Sequence, residues 1–120
     1  MNIEAYRIYC LSKKGVTESI PFSKLPNVLV FKVLDKMFTA TNLSDFNSIS
    51  VKADPNKIEE LRATYNCLST QAYMHKKHWN KVSLDNSVPD SLIYQWIDTS
   101  YALVVKKMTK KQQEIINTDN

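Results

Sequence analysis

Val28-Leu29-Val30-Phe31-Lys32-Val33 and Lys36-Met37-Phe38-Thr39-Ala40-Thr41, separated by Leu34-Asp35, decide the fold of this chain. Both runs are rich in β-branched and aromatic residues and Asp35 suits a turn, so the stretch predicts a β-hairpin. Ser48-Ile49-Ser50-Val51-Lys52 comes next, alternating apolar with polar side chains. That is the period of a strand with one buried face, and this third strand can pair with the hairpin.

Upstream of the hairpin, Ile3, Tyr6, Cys10 and Leu11 recur at helical spacing. Asn2 serves as N-cap, Lys13 and Lys14 fall in the last turn, and Gly15 stops the helix, predicting a span of 3–13. Gly15 is the only glycine, which excludes a Gly-rich phosphate loop. A connecting segment then carries Pro21 and Pro26. Downstream, Asp54 reads as the N-cap of a second helix with Pro55 at its first position, where a missing N–H costs nothing. Ile58, Leu61 and Tyr65 form its inner stripe, while Glu59, Glu60 and Arg62 face water.

Gln71-Ala72-Tyr73-Met74 and Trp79-Asn80-Lys81-Val82-Ser83-Leu84 read as two more strands, joined by His75-Lys76-Lys77-His78 into a hairpin with a charged tip. Val88-Pro89-Asp90 opens the longest helix, whose Leu92, Ile93, Trp96, Ile97, Tyr101, Val104 and Val105 make a stripe broad enough to cover a sheet. Residues 110–120 read as a polar, unpatterned tail behind a single domain of residues 1–109. The predicted class is α+β: an antiparallel sheet of about five strands with helices packed on one face and the other face open. Phe31, Phe38, Tyr73 and Trp79 lie on predicted strands and are candidates for that open face, at spacings that serve a core equally well.

With 120 residues, 43% of them hydrophobic and 23% charged, the chain can bury a core without disulfide or metal staples. Cys10 and Cys67 fit the small, reduced core thiols of an intracellular protein. No leader and no membrane span is legible, so a cytoplasmic protein is expected. The net charge is +4, and all of it resides in residues 75–111, where seven lysines face three aspartates. A polyanion is the partner class such a balance fits.

Several runs together resemble the MmcQ/YjbR family: Tyr9-Cys10-Leu11-Ser12, the Gly15-Val16-Thr17-Glu18 turn, Pro21-Phe22, the first hairpin, Ile49-Ser50-Val51-Lys52, Asp54-Pro55, Lys76-Lys77-His78-Trp79-Asn80, Val88-Pro89-Asp90, Ile97-Asp98 and Ser100-Tyr101. The resemblance implies a CyaY-like α+β fold and DNA binding through a double-wing arrangement. Members commonly have Asn where this chain has His75, and a Gly-containing turn where it has Leu34-Asp35.

In such an interface Lys76, Lys77 and Lys81 would neutralise phosphates, while His78 or Trp79 would stack on a base or pack beneath the loop. Asn80 would hydrogen-bond a base edge or sugar, or lock a turn. His75 and His78 make only half a zinc site, beside lysines that repel a cation, so no metal and no cofactor is expected. Iron donation does not carry over from the CyaY-like fold, because the first helix offers only Glu4 against Arg7, Lys13 and Lys14. The serines and aspartates of the turns all have structural explanations, so the expectation is a protein that is not an enzyme. The alternative is a protein partner, held by the open sheet face.

Overall fold

A computed structural model describes residues 1–118. Helix α1 (Ile3–Leu11) starts where the Asn2 side chain accepts the Ala5 N–H at 2.8 Å, and it ends two residues earlier than the spacing predicts. Ser12 is its C-cap, and Gly15 supplies the left-handed step at φ 73° that redirects the chain.

Six strands come after it: β1 (Val16–Ser19), β2 (Val28–Val33), β3 (Lys36–Asn42), β4 (Ser48–Lys52), β5 (Leu68–Ser69) and β6 (Trp79–Ser83). They form one antiparallel sheet in the order β1-β2-β3-β4-β6-β5. Helix α2 (Ile58–Thr64) links β4 to β5, α3 (Asp90–Lys106) succeeds β6, and α4 (Lys110–Thr118) closes the described chain.

One face of the sheet is the core. Leu29, Phe31 and Val33 of β2, Ile49 and Val51 of β4 and Val82 of β6 point to it, meeting Tyr6 and Cys10 of α1 and Ile93, Ile97 and Val104 of α3. Buried hydroxyls stitch the layers. Tyr6 donates to Thr39 at 2.9 Å, and Thr39 passes its own proton to the Ser50 carbonyl at 2.8 Å. Ser100 of α3 donates to the Phe38 carbonyl and accepts the Lys52 N–H at 2.8 Å, tying the helix to two strands at once. Such bonds fix orientation more than they add stability, since each replaces a bond to water and contributes about 1 kcal/mol.

The register between β2 and β3 shifts at Phe31/Lys32, leaving Phe38 as an extra residue. This bulge turns Phe38 inward against Tyr101, ring centroids 5.4 Å apart. Phe31 and Phe38 are therefore core residues, fully buried, and not part of the open face.

Several expectations are corrected by the structure. β1 occupies residues read as a turn, so the strands number six. Asp54 caps no helix: its carboxylate accepts the Asn56 N–H at 2.9 Å and its carbonyl accepts from Lys57, making a turn that delays α2 until Ile58. Residues 71–74 are not a strand but part of a loop, and the strand pairing with β6 is the two-residue β5 before it.

The expected polar tail is helical. Thr109 accepts the Gln112 N–H at 3.1 Å while the Gln112 side chain accepts the Thr109 N–H at 3.0 Å, a reciprocal capping box. Ile116 of α4 is buried next to Gly15, whose Cβ, if it had one, would lie 3.5 Å from Ile116 Cγ1. Positions 119 and 120 of the expected tail lie outside the described residues.

Candidate functional site

The segment from Lys76 to Lys81 divides among three environments, because a strand alternates its side chains and a loop does not. Lys76, Lys77 and half-buried His78 end the loop of residues 70–78. Trp79 opens β6 opposite Lys52 and is 9% exposed, with Lys52 Nζ 5.5 Å from its ring centroid. Asn80 points under the sheet and is almost wholly buried, while Lys81 stands on the open face.

Arg62, read from the sequence as a solvated residue, holds this segment in place. Its Nε donates to Asn80 Oδ1 at 2.7 Å, and the guanidinium also donates to the carbonyls of Trp79, at 3.0 Å, and of Lys76. One planar fork thus satisfies a buried amide oxygen, a loop carbonyl and the first carbonyl of β6. Asn80 is committed to this clamp.

The loop has a second lock at His75. The Lys77 N–H donates to His75 Nδ1 at 3.2 Å, so the neutral ring carries its proton on Nε2, and the His78 and Trp79 N–H groups both bond to the His75 carbonyl at 3.0 Å. An Asn at this position would accept the same bond from two residues on, as an Asx-turn does. His75 therefore does the turn-locking work an Asn would do here.

Cations gather here from three elements. Burial is the main cause that lowers the His78 pKa, and the charges of His75, Lys107, Lys52 and Lys77 lower it further. Lys52 is likewise lowered, by burial first and then by Lys107. The end of β4, the loop and the C-terminal end of α3 thus bring Lys52, Lys77 and Lys107 near one imidazole, while Lys76 neighbours Lys77 in sequence. Among the described residues, no carboxylate lies within 4.0 Å of any of these lysines or of Lys81. The His75 and His78 rings lie with centroids 4.9 Å apart and planes tilted by 56°, and no group of three or more His, Cys, Asp or Glu able to hold a metal ion occurs among the described residues.

The open face is a groove of about 630 Å³ and not a flat surface. Its floor derives from the register: Ala40, Ser50 and Lys81 stand side by side across β3, β4 and β6. Small residues in this row leave a trough. Phe22 and Leu25, exposed on the β1–β2 connection, form one wall, and Tyr73 and Met74 of the 70–78 loop form the other. Gln71 pins the second wall by donating to Ser50 Oγ at 2.6 Å, and Tyr73 stands fully exposed at φ 66°. The sequence marks Tyr73 as a candidate for the open face, but the walls could not be found from it because both are irregular loops.

The chain is thus an open-faced α+β sandwich with helices on one side of the sheet and a clamped basic loop at its margin. A family model described as YjbR matches residues 11–103, and the chain belongs to the YjbR family. It is 29% identical over 117 residues to the "Uncharacterized protein YjbR" of Escherichia coli strain K12, covering 97% of this chain and 98% of that one. It is 29% identical over 107 residues to the "Uncharacterized protein YbdF" of Escherichia coli O157:H7, covering 84% of this chain and 88% of that one. Among solved structures, the Deinococcus radiodurans protein DR2400, a DUF419 domain, superposes with a TM-score of 0.87 at 33% identity, over 97% of this chain and 88% of that chain. A Pseudomonas syringae protein at 23% identity shares the fold, with a TM-score of 0.71 over 86% of this chain and 98% of its own. No helix among the described residues is long and apolar enough to cross a membrane.

Proposed function

We propose that this chain is a non-enzymatic, cytoplasmic DNA-binding protein that grips phosphates with Lys52, Lys76, Lys77 and Lys107 around His78. The observation that carries this reading is the gathering of Lys52, Lys77 and Lys107 from three elements near His78, with no carboxylate among the described residues within 4.0 Å of any of them. Like charges held together without counter-ions repel one another, and a polyanion relieves that repulsion while releasing the cations condensed on it. Lys81 stands apart on the groove floor, and Trp79 supports Lys52 in place of stacking on a base. The surface accordingly reads charge and shape, with no side chain committed to a base edge.

About three to four phosphate contacts give a slope of log affinity against log salt of roughly −3 to −4, so affinity falls on the order of a hundredfold between 50 and 200 mM salt. The test is fluorescence anisotropy with a labelled duplex across that range. Lys76→Ala/Lys77→Ala/Lys107→Ala is expected to flatten the slope by about two to three. Equal affinity and equal slope for this variant and the wild type would remove the surface from consideration.

A further inference from the structure

We infer that the groove on the open sheet face is a separate site for a small amphipathic anion, an aromatic or aliphatic body bearing one carboxylate-like group. Its volume of about 630 Å³ lies in the range that encloses single small molecules. The body would lie on the trough of Ala40, Ser48 and Ser50, between Phe22 and Leu25 on one side and Tyr73 and Met74 on the other. On those walls Phe22, Leu25 and Tyr73 are exposed and Met74 is half-buried, whereas the floor carries half-buried Ser48 and nearly buried Ser50, whose hydroxyl accepts from the Gln71 amide.

Charge selects the occupant. Among the described residues, Lys81 is the one basic side chain lining the groove, and no carboxylate lies within 4.0 Å of it. The one acidic lining residue, Asp45, belongs to the turn after β3, three positions beyond Asn42. Lys81 instead shares the row of Ser50 and Ala40 in mid-sheet, so an anion on Lys81 sits away from Asp45. Lys24 lies between Phe22 and Leu25 in the first wall, whereas Lys76 and Lys77, past Met74, are not among the residues lining the groove. The second wall is also built at a local cost. Tyr73 is a bulky residue held in the left-handed region, and the loop is pinned by the Gln71–Ser50 bond and by Arg62.

Anilinonaphthalene sulfonate, a fluorescent aromatic anion, and neutral N-phenylnaphthylamine are the probes. The sulfonate is expected to bind saturably at one site per chain, with amide shifts in a two-dimensional NMR spectrum confined to the groove around Ala40, Ser50, Tyr73 and Lys81. Lys81→Met should weaken the sulfonate roughly tenfold and the neutral probe less than about twofold. Ser48→Phe fills the trough from a half-buried strand position and should abolish both, with circular dichroism confirming the fold. Lys76→Ala/Lys77→Ala should retain sulfonate binding within about twofold, which separates this site from the DNA surface.

Unsaturable binding, shifts scattered over the molecule, or a Lys81→Met variant that binds the sulfonate as well as wild type would overturn the inference. Loss of the sulfonate in Lys76→Ala/Lys77→Ala would place the probe on the basic loop and overturn it too. So would sedimentation showing a dimer that closes the groove, which would give it to a second copy of the chain.

Discussion

Arg62→Met tests whether the clamp or the strand holds the 70–78 loop. The substitution keeps the aliphatic stem but removes the donors to Asn80 Oδ1, the Trp79 carbonyl and the Lys76 carbonyl. The two carbonyls reach water once the loop loosens, so their loss is small. The Asn80 oxygen cannot, being on a residue that is 2% exposed, and a buried acceptor left unpaired costs about 1–3 kcal/mol. With the charged bonds added, the expected destabilisation is about 2–4 kcal/mol, a fall in Tm of roughly 8–16 °C for a domain of this size. Urea unfolding of Arg62→Met, Asn80→Leu and the double variant is the assay. Asn80→Leu removes the acceptor, so the double variant should be more stable than the sum of the single losses implies. A loss below about 0.5 kcal/mol for Arg62→Met, the behaviour of a solvated surface arginine, would refute the clamp.

Two further predictions concern stability. Burial pushes the Cys10 thiol up to about 12 from its ordinary 9.0, so the folded state holds a proton that the unfolded chain releases between those values. The stability this contributes is full below pH 9 and is lost as pH climbs toward 12, and buried Tyr6 and hydrogen-bonded Tyr9 shift in the same direction. Thermal unfolding from about pH 8 to 10.5 should show a falling Tm whose first portion flattens in Cys10→Ala; an unchanged slope would show that the thiol is not desolvated. Ile116→Ala should cost roughly 2–4 kcal/mol in urea titrations, since α4 packs this residue beside Gly15. A frayed tail would leave the midpoint where it was.

The parts of the fold that the sequence discloses are those with an unambiguous period. The alternation in Ser48-Ile49-Ser50-Val51-Lys52 and the stripe from Leu92 to Val105 each match only one kind of element, and both are where they were expected. β1 escaped because Val16-Thr17-Glu18-Ser19 is short, polar and placed directly after a helix-stopping glycine. Its Glu18 shares the inner side of the strand with Val16, where Arg7 of α1 meets it, donating from Nε at 2.9 Å. Gln71-Ala72-Tyr73-Met74 imitates a strand by composition, yet its backbone is spent on turns and on the left-handed Tyr73. Helix α4 was missed by the reading of a polar tail, although Thr109-Lys110-Lys111-Gln112 is a capping-box pattern from which it could have been found. At the site, the lysine cluster was legible as a count but not as a place. Lys52 and Lys107 are distant in sequence, and Arg62 gives no sign that it reaches across eighteen positions to Asn80.

The strand order has a kinetic corollary. β1 to β4 are consecutive neighbours, so residues 16–52 can zip from one short connection to the next, whereas β6 reaches β4 only after α2 and the long loop are in position. Assembly should therefore begin in that meander and finish at the loop. Changes such as Arg62→Met would then speed unfolding in stopped-flow experiments and leave refolding nearly untouched, whereas a slowed refolding arm would put the late segment in the nucleus.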